Sequence, residues 1–333
     1  DTVDSVTTVH TRVFNAMNQM TAETQVGVGT KTISYDTNGN MVRIDPAPGS
    51  GVPIKLYTFN QRNLMTKAEE QGAQLQTLAE FRYDGDNDRL EQTAYENGLI
   101  ASVTKYTNDT IGLTQVLVSD GGAGSVVYQL YGNMLIGQQV AGSSQFQTHI
   151  ADGLGSVRVE METSGATNYV RTFSPFGETL AETGTRSSVY GYTGQQEDAS
   201  TGLIYLRARY YSAELKAFTA YDLWNGVNTR PQSLNHYVYV TGNPVNYFDP
   251  TGRCNGAFEF LRTIEPENCS IYVDQANEII HHEDATLGQK AFAGFFKTAF
   301  VGSHIGLAVG SAFLGGTQVA GLSVATTASG VAR

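Results

Sequence analysis

Cysteine is nearly missing from this chain: two residues in 333, Cys254 and Cys269, with none before them. The first 253 residues therefore gain nothing from disulfides or thiolate metal sites, while the two late thiols can pair or stay free. Charge is sparse as well, at 16% Asp, Glu, Lys and Arg, with a net charge of −11. No run of Lys or Arg occurs, which removes the basic stripe that nucleic-acid binding requires. An initiator Met and the n- and h-regions of a signal peptide are also missing. A chain starting at Asp1 reads as a piece cut from a larger polypeptide whose targeting information lies elsewhere. No Walker loop, dinucleotide fingerprint or nucleophile elbow is present. His281-His282-Glu283-Asp284 lacks the spacing of a zinc site. Asp84, Asp86 and Asp88 lack the bidentate Glu of a calcium loop. Neither a cofactor nor a metal is expected.

Glycine and tyrosine are plentiful instead, at 36 and 18 residues. That balance favours strands, tight turns and aromatic cross-strand pairs. Short units of aromatic, turn and apolar strand recur at Ile33–Ile44, Leu56–Met65, Phe81–Gln92, Val126–Ile136 and Tyr169–Glu178. Each is expected to be a hairpin, its Asn and Gly residues supplying the positive φ that primed turns demand. One hairpin cannot bury its apolar face alone, so successive hairpins must stack sideways into one long antiparallel sheet. Such a sheet must curl or close to protect its edges, and a spirally wound shell is the expected outcome. Unequal spacing argues against a propeller.

The character changes from Asp284 onward. Helix formers gather in Leu287–Phe300, and residues 298–332 contain no Asp, Glu, Lys or Arg. Gly302, Gly306 and Gly310 follow a small-xxx-small spacing that lets helices approach closely in lipid. The run is long enough to span a bilayer, although its Ser, Thr and Gly content equally suits a buried segment. A non-β, helical tail with a possible membrane contact over 298–332 is the expectation.

Tyr35–Asn40 and Phe81–Gly85 have the form of YD repeats, and Asp152-Gly-Leu-Gly-Ser-Val-Arg158 precedes Pro175-Phe-Gly-Glu178. Gly191–Tyr211 and Tyr237–Gly252, the latter containing Asn243-Pro-Val-Asn-Tyr-Phe-Asp-Pro-Thr-Gly252, complete the pattern. Together these runs resemble the RHS/YD-repeat family and its C-terminal associated core domain, over roughly residues 30–253. The resemblance implies an all-β chain, a spirally wound antiparallel sheet forming part of a hollow shell. It divides the chain into a repeat shell (1–185), an associated core (186–253) and a variable C-terminal region (254–333). Toxin members of the family hold that last region inside the shell as cargo and free it by aspartyl self-proteolysis. The implied partners are the chain's own cargo and proteins of a secretion system or toxin complex, and the implied setting is a secreted or surface-delivered bacterial effector. Teneurins are the non-toxic relatives, so a non-cleaving surface recognition module is the alternative.

By the same resemblance Asp222 and Asp249 match the two catalytic aspartates and Arg209 the arginine beside the Tyr-Tyr pair. Two neighbouring carboxyls cannot both ionise easily, so one serves as base toward water and the other as acid. An arginine can orient one of them through a forked contact. On the residues alone, Asp249 before Pro250 suits a turn, Asp222 a cap, and Arg207 and Arg209 the face of a strand. The expected scissile bond is Arg253–Cys254. Arg253 stands where the family usually has Leu, and no Pro follows Asp222.

Overall fold

The computed structural model describes residues 9–110, 113–122, 125–132, 134–223 and 231–253, together with the backbone of 256–257. The expected tail helix and membrane-contact segment lie outside the described residues. Contacts divide the chain into two units, one of residues 1–245 and 250–253, the other of 246–249 and 254–333.

In the first unit, sixteen strands from His10–Phe14 to Thr179–Gly184 form one antiparallel sheet, each strand lying next to its predecessor and successor in sequence. All five expected hairpins are present in it. At five turns on one end of the sheet, three of them in these hairpins, the strands are joined not by a primed turn but by a five-residue loop closed by a side chain. In Asn15–Gln19, Asp36–Asn40, Asn60–Leu64, Asp84–Asp88 and Asp152–Ser156, the first residue's Oδ1 accepts the N–H groups of the third and fifth. Short Asn and Asp side chains do this because their oxygen reaches the backbone two residues on. The fourth residue takes a positive φ: Asn18 (58°), Gly39 (84°), Asn63 (61°), Asn87 (75°) and Gly155 (88°). Asp84, one of the three aspartates that alternate around Gly85, thus closes a turn. A primed geometry does occur at Asn97-Gly98, where both central residues have positive φ.

Just before each of these loops the strand register slips by one residue, for example between Ser34 and Tyr35 and between Arg82 and Tyr83. Bulges of this kind increase local twist. The residue directly after the loop points to the covered face and is buried: Met20, Met41, Met65 and Val157. At the equivalent place in the fourth loop stands Arg89, only 2% exposed.

A second, four-stranded sheet follows, formed by Gln196–Asp198, Leu203–Leu206, Arg209–Ser212 and Ala217–Phe218. Its two central strands are buried along their whole length. Leu203, Tyr205 and Tyr210 from this sheet share one apolar cluster with Tyr57, Met65, Ala68, Ala79 and Phe81 of the large sheet. Arg89 completes the junction: it pairs with Asp198 at 3.0 Å, donates to the Tyr210 hydroxyl at 2.9 Å and to Gln196, and lies 4.0 Å from the Tyr205 ring centre. Burial pushes the Asp198 carboxyl up, and the facing Arg89 only partly pulls it back.

The glycine-rich motifs have local causes. Tyr192 donates to the Pro175 carbonyl at 2.6 Å and Tyr211 to that of Phe176 at 2.9 Å, which seats the Pro-Phe-Gly-Glu loop. A Cβ on Gly177 would strike the Tyr192 ring. In the second unit, Tyr247–Phe248 pairs antiparallel with Gly256–Ala257.

Candidate active site

The hairpin Leu203–Leu206/Arg209–Ser212 turns through Arg207 and Ala208, with Arg207 at φ 56°. This places Arg207 on the turn rather than on a strand face. Both arginines and the intervening N–H project toward residues 250–252. Arg207 Nη1 donates to the Pro250 carbonyl at 2.5 Å, Ala208 N to that of Thr251 at 3.2 Å, and Arg209 Nε to that of Gly252. Three consecutive residues thus hold three consecutive carbonyls. Gly252 fits only because it lacks a side chain: its φ is 76°, and a Cβ would collide with the carbonyl oxygen of Leu206.

Arg209 does more than hold Gly252. Its Nη2 lies 2.7 Å from Asp222 Oδ2, and its Nη1 donates to the His236 carbonyl at 2.9 Å. The guanidinium carbon sits 3.7 Å from the Phe218 ring centre, a cation–π contact that favours a desolvated Arg. Both partners of the ion pair are nearly buried, where a charge-assisted contact is strong. The backbone of Asp222 is pinned by His236. Asp222 N donates to the His236 carbonyl at 3.2 Å, and His236 Nδ1 lies 2.8 Å from the Asp222 carbonyl oxygen. The Tyr221 hydroxyl is 2.9 Å from His236 Nε2, and the two rings stack at 4.0 Å.

Arg209, Asp222, Tyr221, Arg253, Arg62 and Asn63 line one small cleft. The Arg253 N–H donates to Thr251 Oγ1 at 3.2 Å, which shapes the chain as it leaves the clamp. Of the residues singled out from the sequence, Arg209, Asp222 and Arg253 therefore come together in the first unit. Asp249, 2% exposed, belongs to the second unit and follows the strand Tyr247–Phe248. Cys254 lies outside the described residues. Arg207, Ala208, His236 and the steric demand at Gly252 were not foreseen. Only Gly252, following Asp-Pro-Thr, carried a visible turn signal. Among the described residues no group of His, Cys, Asp and Glu is arranged to hold a metal ion.

Residues 3–245 match the family described as teneurin YD-shell. The chain is 29% identical over 244 residues to the tRNA nuclease WapA of Bacillus subtilis (strain 168), covering 72% of this chain and 10% of that protein. It is 24% identical over 244 residues to the toxin subunit YenC1 of Yersinia entomophaga, covering 72% and 24% of the respective chains. The chain thus spans about a tenth of the length of WapA and a quarter of YenC1. Among solved structures it is similar to the TcdB2-TccC3 complex, with TM-score 0.47 and 17% identity over 73% of this chain and 16% of that one. The Photorhabdus luminescens Tc holotoxin pore gives TM-score 0.46 and 16% identity over 73% and 15%.

Proposed function

Given that this chain belongs to the teneurin YD-shell family of RHS/YD-repeat proteins, we propose that it is part of a shell enclosing a toxin and releasing it by cutting its own backbone. Relatives named as a tRNA nuclease and a toxin subunit support a toxic cargo and a secreted or delivered effector. In this reading residues 1–185 build the repeat shell, 186–253 the associated core, and the cargo begins at Cys254. Partners would be that cargo and, as for toxin subunits, other proteins of the delivery complex.

The observation that carries the self-cleavage reading is the position of Arg209. One guanidinium holds both the Asp222 carboxylate and the carbonyl of Gly252, one residue before the proposed scissile Arg253–Cys254 bond. Asp222 and Asp249 would divide the work of acid and base, one activating water and the other protonating the departing amine. Arg209 would orient Asp222 and fix the substrate backbone at once, the kind of positioning that lowers an activation barrier most cheaply.

Mass spectrometry of the purified chain tests this directly. A cut after Arg253 that disappears in Asp222→Asn and in Asp249→Asn supports it. A wild-type chain that remains whole sinks self-cleavage and leaves the non-cleaving recognition module as the function of the shell.

A further inference from the structure

The carbonyl clamp formed by Arg207, Ala208 and Arg209 reads backbone alone. It touches the carbonyls of Pro250, Thr251 and Gly252, and Gly252 must have no side chain. Nothing in these contacts depends on the bond that follows Arg253. Hydrolysis adds the hydroxyl of water to the Arg253 carbonyl carbon, breaks the C–N bond to Cys254 and leaves the remaining proton on the Cys254 amine. None of the three clamp contacts uses an atom that this step changes.

We propose that Arg207–Arg209 is a product-retention site: the new C-terminal segment 250–253 stays seated in the cleft and blocks it against any second peptide. Arg62 lines the same cleft and donates to neutral groups, the Gly85 carbonyl at 2.6 Å and Asn87 Oδ1 at 3.1 Å. It offers a cation to the carboxylate that cleavage creates at Arg253. The clamp itself belongs to the same compact unit as residues 250–253 and is further anchored by Arg207 Nε on the Thr114 carbonyl at 2.6 Å and Nη1 on Gln195 Oε1 at 2.8 Å. Its consequence for turnover rests on the self-cleavage reading; the retention does not.

The test uses the full chain carrying Asp249→Asn, with a site-specific protease sequence inserted after residue 257. Hydrogen exchange of the peptide spanning residues 206–212 is followed before and after the engineered cut. The exchange before the cut also reports whether the variant is folded. Retention keeps the Ala208 amide as slow after the cut as before, within about twofold. Adding Arg207→Gln removes the charged contact to the Pro250 carbonyl together with those to Thr114 and Gln195, and speeds that amide about tenfold or more. Acceleration of Ala208 by the cut alone overturns the proposal, whether or not the wild-type chain cuts itself. In a second arm, wild-type chain that has cleaved is given a synthetic peptide spanning residues 246–260. The peptide remains whole if the cleft is occupied by product, and repeated cleavage of it also overturns the proposal.

Discussion

Arg209 and Asp222 form a nearly buried ion pair at 2.7 Å, and the same guanidinium holds the backbone one residue short of Arg253. A Lys can keep the charge, but its point-like ammonium lacks the planar fork with which Arg209 reaches Gly252, His236 and Asp222 from three different nitrogens. Arg209→Lys is therefore expected to slow self-cleavage by about tenfold or more, in line with the loss of one charged hydrogen bond. The fraction of intact chain over time, read by mass spectrometry, checks this. Cleavage at the wild-type rate would remove Arg209 from the chemistry.

Gly252→Ala should abolish the cut with little effect on the shell. The added methyl meets the Leu206 carbonyl at a φ that disfavours it, so the chain must leave the clamp. Expected is uncut protein whose thermal midpoint matches Asp249→Asn within a few degrees. Normal cleavage by Gly252→Ala would show that the clamp is not needed.

Arg89→Met restores the residue type found after the first three loops yet leaves the Asp198 carboxyl buried without its cation. Breaking a buried pair from one side costs about 3–5 kcal/mol. The double change Arg89→Met/Asp198→Leu removes both charges and should recover most of that loss. Urea denaturation of the two variants measures the difference, and equal stabilities would contradict it.

The buried His149 sets an acid limit. Burial pushes its imidazole below the ordinary value of 6.5, with Glu160 across the strand pair pulling weakly the other way. Neither ring nitrogen has a hydrogen-bond partner among the described residues. The unfolded chain thus binds the proton first as pH falls below about 6.5, and stability drops from there until the folded-state value is passed. His149→Phe should flatten unfolding midpoints between pH 6.5 and 5 while leaving other acid effects, such as loss of the Glu23 pairs at lower pH, in place.

Much of the large sheet could be read from the sequence because its causes are local. Alternating apolar residues and Asn, Asp and Gly turns identify five of its hairpins, each within a dozen residues. The loop form was less visible, since Asp36 or Asn60 gives the same turn signal whether its side chain closes five residues or two. Arg209 and Asp222 became suspects through motif resemblance. That one holds the other, and that Arg207 and Ala208 continue the grip, depends on contacts some 43 positions apart (Arg207 to Pro250) that no local pattern encodes. His236 escaped notice for the same reason: it acts through its backbone and ring position rather than through a motif.

Similar repeats raise a problem of phase. A docking strand that meets Met20, Met41 and Met65 in equivalent settings sees nearly the same surface at each step along the sheet, and apolar contact alone cannot tell one step from the next. Arg89 ends that degeneracy. A seat shifted by one repeat would bury Asp198 against methionine and leave Arg89 without its carboxylate, a mismatch on both sides. A charge standing where the first three loops place methionine works as an address for the sheet that docks there.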